Sequence, residues 1–328
     1  MKIRIKNAYA ITIPALILLV GAAVWIMAVR VKSESCGADY QWLNPALGCS
    51  SKPVISKAVY RVFRDKLTLQ IDAWKKEGRV EEVAVFFRDL ENGPTFGIND
   101  HEKFIPASLL KVPVMFTYFK LAEEDPSILE NKLEYKTALS ELLPPQTGAS
   151  EHKLELGRTY KVDNLIFRMI AYSDNGANLL LLEHLKRLSP DRDLLTETFT
   201  ELGMINLKGD IEAEALSAKT YASFFRLMYN SSYLSKEFSE KGLKYLSQSD
   251  YKQGIRGGIP GNISVANKFG ERQISEDRVQ LHDCGIIYYP ENPYLLCVMT
   301  KGNDFEELSD TIRSVSGAVW EEISSRKL

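Results

Sequence analysis

Three short motifs hold the residues of this sequence that could perform covalent chemistry. In chain order they are SLLK at residues 108–111, SDN at 173–175 and KFG at 268–270. Together they supply a hydroxyl nucleophile, a lysine three residues further on, a second hydroxyl that can relay a proton, and a cationic side chain on a strand. Acyl transfer through a covalent serine intermediate requires side chains of these types.

The first motif has the sequence context of a helix start. SxxK recurs at Ser249 and Ser324, but Ser108 alone follows a predicted hairpin and opens the most apolar helical pattern of the middle region. A separation of three places Ser108 and Lys111 on one helical face. Apolar neighbours favour a buried lysine with a lowered pKa, which makes it a usable base; the alternative is a surface lysine. Pro113 removes one backbone hydrogen bond, which a first turn can accommodate.

The other two motifs each have a structural alternative. Ser173 lies between two apolar helical patterns, where Ser, Asp and Asn also serve as helix caps and turn residues. Lys268 continues a predicted strand, where an outward lysine at a sheet edge is common. The order of the three motifs, each on the kind of element that the chemistry needs, favours the catalytic interpretation.

Overall composition favours a globular enzyme. The chain has 328 residues, a net charge of -2 and 45% hydrophobic residues, so it can bury a substantial core. Its balanced charge leaves no basic surface for nucleic acid, which we exclude as a partner. We expect a monomer that needs no cofactor.

The N-terminus predicts a membrane anchor. Residues 8–29 contain no charged side chain, and a helix of that length covers roughly 30 Å, enough to cross a bilayer. Lys2, Arg4 and Lys6 precede it, so we expect residues 1–7 to be a short cytoplasmic tail and the body to lie outside the cytoplasmic membrane of a bacterium, on a single span. A cleaved signal peptide is the alternative, but the run is long for one.

An extracytoplasmic position makes disulfides possible. Cys36 and Cys49 bracket a loop-like stretch rich in Gly, Pro and Asn. We expect these two cysteines to pair within a neck of residues 30–55 that joins the anchor to the catalytic domain at 56–328.

The second pair of cysteines gives a different expectation. Cys284 and Cys297 lie in apolar runs on either side of residues 290–293, and counting outward from that turn places them diagonally rather than opposite. We therefore expect buried free thiols. His282 and Asp283 add two metal-ligand types beside Cys284, but without a paired CxxC or an HExxH motif no metal site is predicted.

Hydrophobic periodicity predicts an α+β fold with three layers. A helix over 56–76 leads into a hairpin at 83–98, a helical region follows over about 109–254, and strands return before a final helix at 305–323. We expect an antiparallel sheet of about five strands, flanked by the terminal helices, with an all-helical region inserted.

At these motifs the chain resembles the penicillin-recognising serine enzymes, and most closely the catalytic domain of class A β-lactamases. The resemblance covers residues 56–328 and rests on ASLLK, on YSDN followed by ANLLL, on GIPGNISVANKFG and on HDCGIIYYP. It implies a β-lactamase/DD-peptidase-like fold. It also implies that Ser108 is the acylated nucleophile, that Lys111 takes its proton, and that Ser173 passes a proton to the leaving nitrogen.

The same resemblance assigns the substrate-binding residues. Asn175 would hold the side-chain amide of the substrate, and Lys268 would attract its carboxylate from the strand that continues through Gly270. The backbone amides of Ser108 and Glu271 would form the oxyanion hole, whose loss typically costs on the order of a hundredfold in rate.

Two departures from the family pattern bear on function. Phe269 stands where the family usually has Thr or Ser to hydrogen-bond the substrate carboxylate; Arg256 or Arg272 could compensate, or each could be a surface arginine. The second departure is a shortened segment between residues 202 and 222, which lacks the glutamate that primes the deacylating water. Its acids Glu212 and Glu214 are expected to be solvated, so deacylation should be slow.

These features leave three functions open. The first is a β-lactamase, the second a D-alanyl-D-alanine peptidase that acts on peptidoglycan, and the third a receptor that binds β-lactams covalently without turnover. The receptor needs a cytoplasmic output domain, for which about seven residues are too few. A Ser-His-Asp triad is disfavoured by the absence of GxSxG.

Overall fold

The structure is a computed structural model of the 328-residue chain. It describes residues 40–47, 57–91, 93–136, 152–203, 216–290 and 292–326. The predicted tail, the predicted anchor and the expected pairing of Cys36 with Cys49 lie outside these ranges. Among the residues that are described, no helix is long and apolar enough to span a bilayer.

The chain divides into two compact units, Met1–Ser51 and Lys52–Leu328. In the first unit, residues 40–47 form bends and a turn, in which the backbone amide of Ala46 donates to Asn44 Oδ1 at 2.9 Å. The second unit contains all the motifs singled out above.

A five-stranded antiparallel sheet forms the centre of the second unit. Its strands are β1 (Glu82–Asp89), β2 (Thr95–Ile98), β5 (Val265–Ser275), β6 (Arg278–Ile287) and β7 (Tyr294–Gly302), and their order across the sheet is β2-β1-β7-β6-β5. A separate two-stranded sheet pairs β3 (Lys132–Glu134) with β4 (Thr159–Lys161). The sheet thus joins an N-terminal hairpin to a C-terminal meander through the pairing of β1 with β7.

Eight α-helices occur in the part of the chain that the structure describes. They are α1 (Arg61–Lys76), α2 (Lys111–Glu124), α3 (Val162–Ala171), α4 (Asn175–Leu188), α5 (Leu194–Glu201), α6 (Ala218–Tyr229), α7 (Lys236–Ser247) and α8 (Phe305–Ser325). Asp or Ser side chains cap five of them at the N-terminus by accepting a backbone amide hydrogen, namely α4 to α8.

The helices lie on the two faces of the sheet. The terminal helices α1 and α8 bury one apolar stripe each, including Phe63 and Ile71 on α1 and Ile312 and Val319 on α8, against the alternate residues of the strands that face them. The inserted helices cover the other face, with α6 on β1, β6 and β7 and α7 on β5. The predicted three-layer α+β fold is confirmed.

The expectation of free thiols at Cys284 and Cys297 is wrong. The two residues are directly opposite each other on β6 and β7, and their sulfur atoms form a disulfide. Ile287 pairs with Tyr294, so the connection between the strands begins two residues before Pro290. That offset shifts the register from the diagonal arrangement to a direct one.

Candidate active site

The nucleophile motif forms a tight turn that continues into a helix. Residues Ala107–Leu110 are a 3-10 helix, and Lys111 begins α2 directly after it. Ser108 remains partly exposed while Lys111 is buried. Ala107 has a φ of 47°, a left-handed conformation that costs free energy in any residue with a side chain. The surrounding contacts must therefore hold this turn in place.

Two side chains of β6 clamp the chain just before this turn. Gln280 Oε1 accepts the backbone amide of Ile105 at 3.0 Å, and His282 Nε2 donates to the carbonyl of Ile105 at 3.0 Å. The amide of Thr300 donates to Nδ1 of the same imidazole, which fixes its tautomer. Burial lowers the pKa of His282 to about 4, so the ring stays neutral.

A tyrosine replaces the backbone hydrogen bond that is missing at Pro113, the third residue of α2. Proline has no N–H and cannot donate to the carbonyl of Leu109, four residues earlier. Tyr221 on α6 donates its hydroxyl to that carbonyl instead, at 3.1 Å. The turn that carries Ser108 is thus held from the sheet side by β6 and from the helical side by α6.

Lys111 is the centre of the site. Its Nζ lies 2.5 Å from the carbonyl oxygen of Ser173 and 2.6 Å from Asn175 Oδ1, and both atoms can only accept. It also lies 3.0 Å from Ser108 Oγ and 3.1 Å from Ser173 Oγ. A neutral amine that gives its two hydrogens to these obligate acceptors keeps one lone pair, which accepts a hydrogen from one of the two hydroxyls at a time. Burial, and secondarily the nearby Lys268, hold the pKa of Lys111 well below its usual range.

Ser173 connects the two lysines. Its Oγ lies 3.1 Å from Lys111 Nζ and accepts from Lys268 Nζ at 2.9 Å. The residue has a φ of 52°, which turns the chain sharply between α3 and α4. Burial lowers the pKa of Lys268 to about 7, and nearby carboxylates partly oppose that shift. A hydroxyl between two amines of lowered pKa can pass a proton in either direction.

Gly270 permits the close approach of β5 to the nucleophile turn. A Cβ atom at this position would lie 3.0 Å from the carbonyl oxygen of Pro106 and 3.1 Å from the backbone nitrogen of Leu109. β5 is also the outermost strand on its side of the sheet, so its backbone amides that point away from β6 face the turn. This arrangement is compatible with the expected oxyanion hole at the amides of Ser108 and Glu271.

A buried carboxylate supports β5 from the next strand. Asp283 accepts the backbone amide of Ile255 and the side-chain amide of Asn267, each at 2.9 Å. Burial raises the pKa of Asp283 to about 6. Asn267 precedes Lys268, so these bonds hold the part of β5 from which the lysine projects.

Arg256 belongs to the same supporting network. Its Nε donates to Asn267 Oδ1 at 2.9 Å, and its Nη2 donates to the carbonyl oxygens of Ser247 and Val265. The guanidinium therefore ties the end of α7 to β5. Contact between Arg256 and a substrate stays a prediction.

The structure thus brings most of the predicted site residues into one cluster. Ser108, Lys111, Ser173, Lys268 and Asn175 are linked by hydrogen bonds, with Gly270 against the nucleophile turn. Glu271 continues the strand, and its carboxylate is near enough to raise the pKa values of both lysines. The catalytic roles of these residues stay predictions.

Sequence reasoning missed the supporting residues Gln280, His282 and Tyr221. Gln280 and His282 are two positions apart on β6, so one buried face of this strand contains two polar side chains. Buried polar groups need hydrogen-bond partners, and that alternation was a usable signal. The distance of Tyr221 from Leu109 along the chain left no comparable signal.

The pKa of Lys268 predicts a pH-dependent stability. Its pKa is about 7 in the folded protein, against 10.5 for an ordinary exposed lysine, so the unfolded chain binds the extra proton between these values. Stability of the native protein should therefore rise with pH across that window. We expect Lys268→Met to raise the melting temperature near pH 7 and this advantage to shrink by about pH 10, in thermal unfolding at a series of pH values.

The exposed Lys244 on α7 provides the matched control for that measurement. Lys244→Met removes the same charge from the surface and should leave the pH dependence unchanged. A stability difference for Lys268→Met that does not vary with pH would contradict the prediction.

A sequence model described as "Beta-lactamase enzyme family" matches residues 66–323. Comparison with curated protein sequences gives no significant match.

Solved structures of similar fold include β-lactamases and a penicillin-binding protein. A variant of PBP-A in an acyl-enzyme complex with penicillin G is 21% identical, with a TM-score of 0.66, and the match covers 80% of this chain and 97% of that one. A β-lactamase from Chitinophaga pinensis is 18% identical, with a TM-score of 0.65 and coverage of 78% and 99%. A class A β-lactamase from Mycobacterium abscessus is also 18% identical, with a TM-score of 0.64 and the same coverage of 78% and 99%.

Proposed function

Because this chain belongs to the Beta-lactamase enzyme family, we propose that it is a serine hydrolase that opens β-lactam amides through an acyl-enzyme on Ser108. One observation carries the proposal. Lys111 Nζ lies 3.0 Å from Ser108 Oγ and contacts two obligate acceptors, so a neutral amine that donates to those acceptors keeps its lone pair for a hydroxyl. This is the geometry that a general base needs to activate a serine.

The contacts support a defined sequence of proton transfers. Lys111 Nζ takes the proton of Ser108 Oγ as that oxygen bonds to the lactam carbonyl carbon. The C–N bond then breaks, and Ser173 Oγ gives its proton to the leaving nitrogen. Ser173 regains a proton from the protonated Lys111, at 3.1 Å, which leaves a neutral amine at Lys111 and an ester at Ser108. If Lys268 supplies that proton instead, at 2.9 Å, the ester forms with Lys268 neutral and Lys111 still protonated.

Deacylation separates the proposed β-lactamase from the alternatives. Glu212 and Glu214, the acids of the shortened segment, lie outside the described residues. The sequence lacks the expected glutamate there, which supports slow hydrolysis of the ester. A D-alanyl-D-alanine peptidase with long-lived β-lactam adducts is therefore the second candidate, and a receptor without turnover is the third.

The membrane anchor belongs to the same proposal. The uncharged run at 8–29 and the basic residues before it support attachment to the cytoplasmic membrane of a bacterium, with the catalytic unit outside. We propose a monomer whose substrate is a β-lactam or a D-Ala-D-Ala peptide.

Intact-mass spectrometry after exposure to penicillin G tests the proposal. We expect a single covalent adduct on Ser108 that forms first and disappears slowly. An adduct lost within seconds, with many product molecules per protein, would favour an efficient β-lactamase. An adduct that persists for hours would favour the peptidase or the receptor. The absence of any adduct after prolonged exposure would refute the proposed acyl-enzyme.

A further inference from the structure

The cation expected to attract a substrate carboxylate is enclosed by the protein. Lys268 has 0% exposed surface. Its Nζ donates to Ser173 Oγ and to the carbonyl of Phe269, each at 2.9 Å, and lies 4.4 Å from the centre of the Phe269 ring. Two hydrogens are thus used by the protein, and an aromatic ring covers the amine at cation–π distance.

The ring that covers this amine is held in place. Phe269 stacks on Tyr251, with ring centres 4.3 Å apart and planes 19° from parallel. The Tyr251 hydroxyl is in turn 3.1 Å from Ser309 Oγ on α8. Phe269 also packs against the apolar core between the sheet and the terminal helices. Movement of the Phe269 ring away from Lys268 would break this stacking contact. Exposing the amine to a ligand therefore costs free energy.

Glu271 adds a negative charge to the same strand. Phe269 and Glu271 are two residues apart on β5 and so share a face of the strand. The carboxylate of Glu271 raises the pKa of both Lys268 and Lys111, so its charge acts on the site. A carboxylate that approaches Lys268 therefore meets the Phe269 ring in place of a hydroxyl donor, within the field of a like charge on β5.

From this geometry we infer that the site prefers acyl donors without a carboxylate next to the scissile bond, such as esterified or amidated ones. This inference rests on the proposed acyl-enzyme at Ser108 and narrows its proposed substrates, β-lactams and D-Ala-D-Ala peptides, to forms whose carboxylate is esterified or amidated. The enclosed lysine then serves Ser173 and the proton relay rather than the recognition of an anion.

Penicillin G and its methyl ester form a matched pair of probes, because they differ only in this charge. The rate of adduct formation on Ser108 is measured for each by intact mass. We expect the ester to acylate the native protein at least as fast as the acid. A faster reaction with the acid would overturn the inference and leave the proposed function intact. If neither probe forms an adduct, the proposed function fails, and this inference fails with it.

Variants of Phe269 and Glu271 show which side chain causes the preference for the ester. Phe269→Thr should restore a hydroxyl donor and lower the ester-to-acid rate ratio by about tenfold, the factor that corresponds to about 1.4 kcal/mol for a hydrogen bond to a charged group. Glu271→Gln should lower the ratio in the same direction. Glu276→Gln removes the same charge from the exposed end of the β5–β6 hairpin and should leave the ratio unchanged.

Arg272 is the other cation on β5, and a role for it in binding the carboxylate predicts the opposite result. If Arg272, which is exposed on β5, attracts the carboxylate, the native protein will favour the acid, and Arg272→Gln will remove that preference. Such a result would overturn the inference. An unchanged ratio in both Phe269→Thr and Glu271→Gln would overturn it as well.

Discussion

Ser108→Ala is expected to abolish the covalent adduct entirely. The substitution removes the oxygen proposed to bond to the acyl carbon, and no other hydroxyl occupies the turn at the start of α2. The half-exposed position of Ser108 means that its loss disturbs little packing, so the variant should unfold at nearly the native temperature. Intact-mass spectrometry after exposure to penicillin G or its methyl ester measures the effect.

Ser249→Ala is the matched control, because Ser249 starts another SxxK sequence of the chain. There the lysine of the motif, Lys252, donates to the backbone carbonyl of Ser249 at 2.7 Å. The control variant should form the adduct as the native protein does. Retention of the adduct in Ser108→Ala, or its loss in Ser249→Ala, would show that the nucleophile has been assigned to the wrong motif.

Lys111→Met is expected to slow acylation by about 10²- to 10⁴-fold, the usual contribution of a general base. Methionine keeps a straight, apolar side chain in the buried position, and it removes a desolvated amine, so the fold should be retained. In the native protein, acylation should rise as the pH passes upward through the lowered pKa of Lys111, because only the unprotonated amine accepts the proton. The variant should lack this limb of the pH profile.

The comparison variant for this experiment is Lys252→Met, which changes the exposed lysine of the second SxxK sequence. Its acylation rate and pH profile should match those of the native protein. If Lys111→Met keeps the native pH profile at a reduced rate, Lys111 positions Ser108 and another group is the base.

Local sequence was sufficient to predict the burial of Lys111 and its approach to Ser108, because the residues around the first motif indicate its surroundings. SLLK is followed by apolar residues, which predicts a buried lysine at Lys111, and the structure buries it. The spacing of three brings Lys111 within 3.0 Å of Ser108. The meeting of Ser173 with both lysines could be expected only from the order of the motifs, since the residues are far apart in the chain.

The register of β6 against β7, and the hydrogen bonds that support the turn before Ser108, could not be predicted in the same way. The pairing of Cys284 with Cys297 depends on where the connection between β6 and β7 begins, and a shift of that turn changes which residues face each other. The bonds from Gln280 and His282 to Ile105 depend on how the helical region sits against the sheet. The alternation of Gln280 and His282 signals that these side chains need partners, but a single sequence does not identify those partners.

The split sheet has a consequence for the synthesis of this protein. β1 pairs with β7, which ends at residue 302 of the 328-residue chain, and Lys268 lies on a strand made only a little earlier. A growing chain that already displays Ser108 and Lys111 has neither Lys268 nor the polar side chains that hold Ile105. Synthesis must therefore pass residue 302 before β1 gains its partner β7 and before the turn that carries Ser108 gains its contacts with β5 and β6.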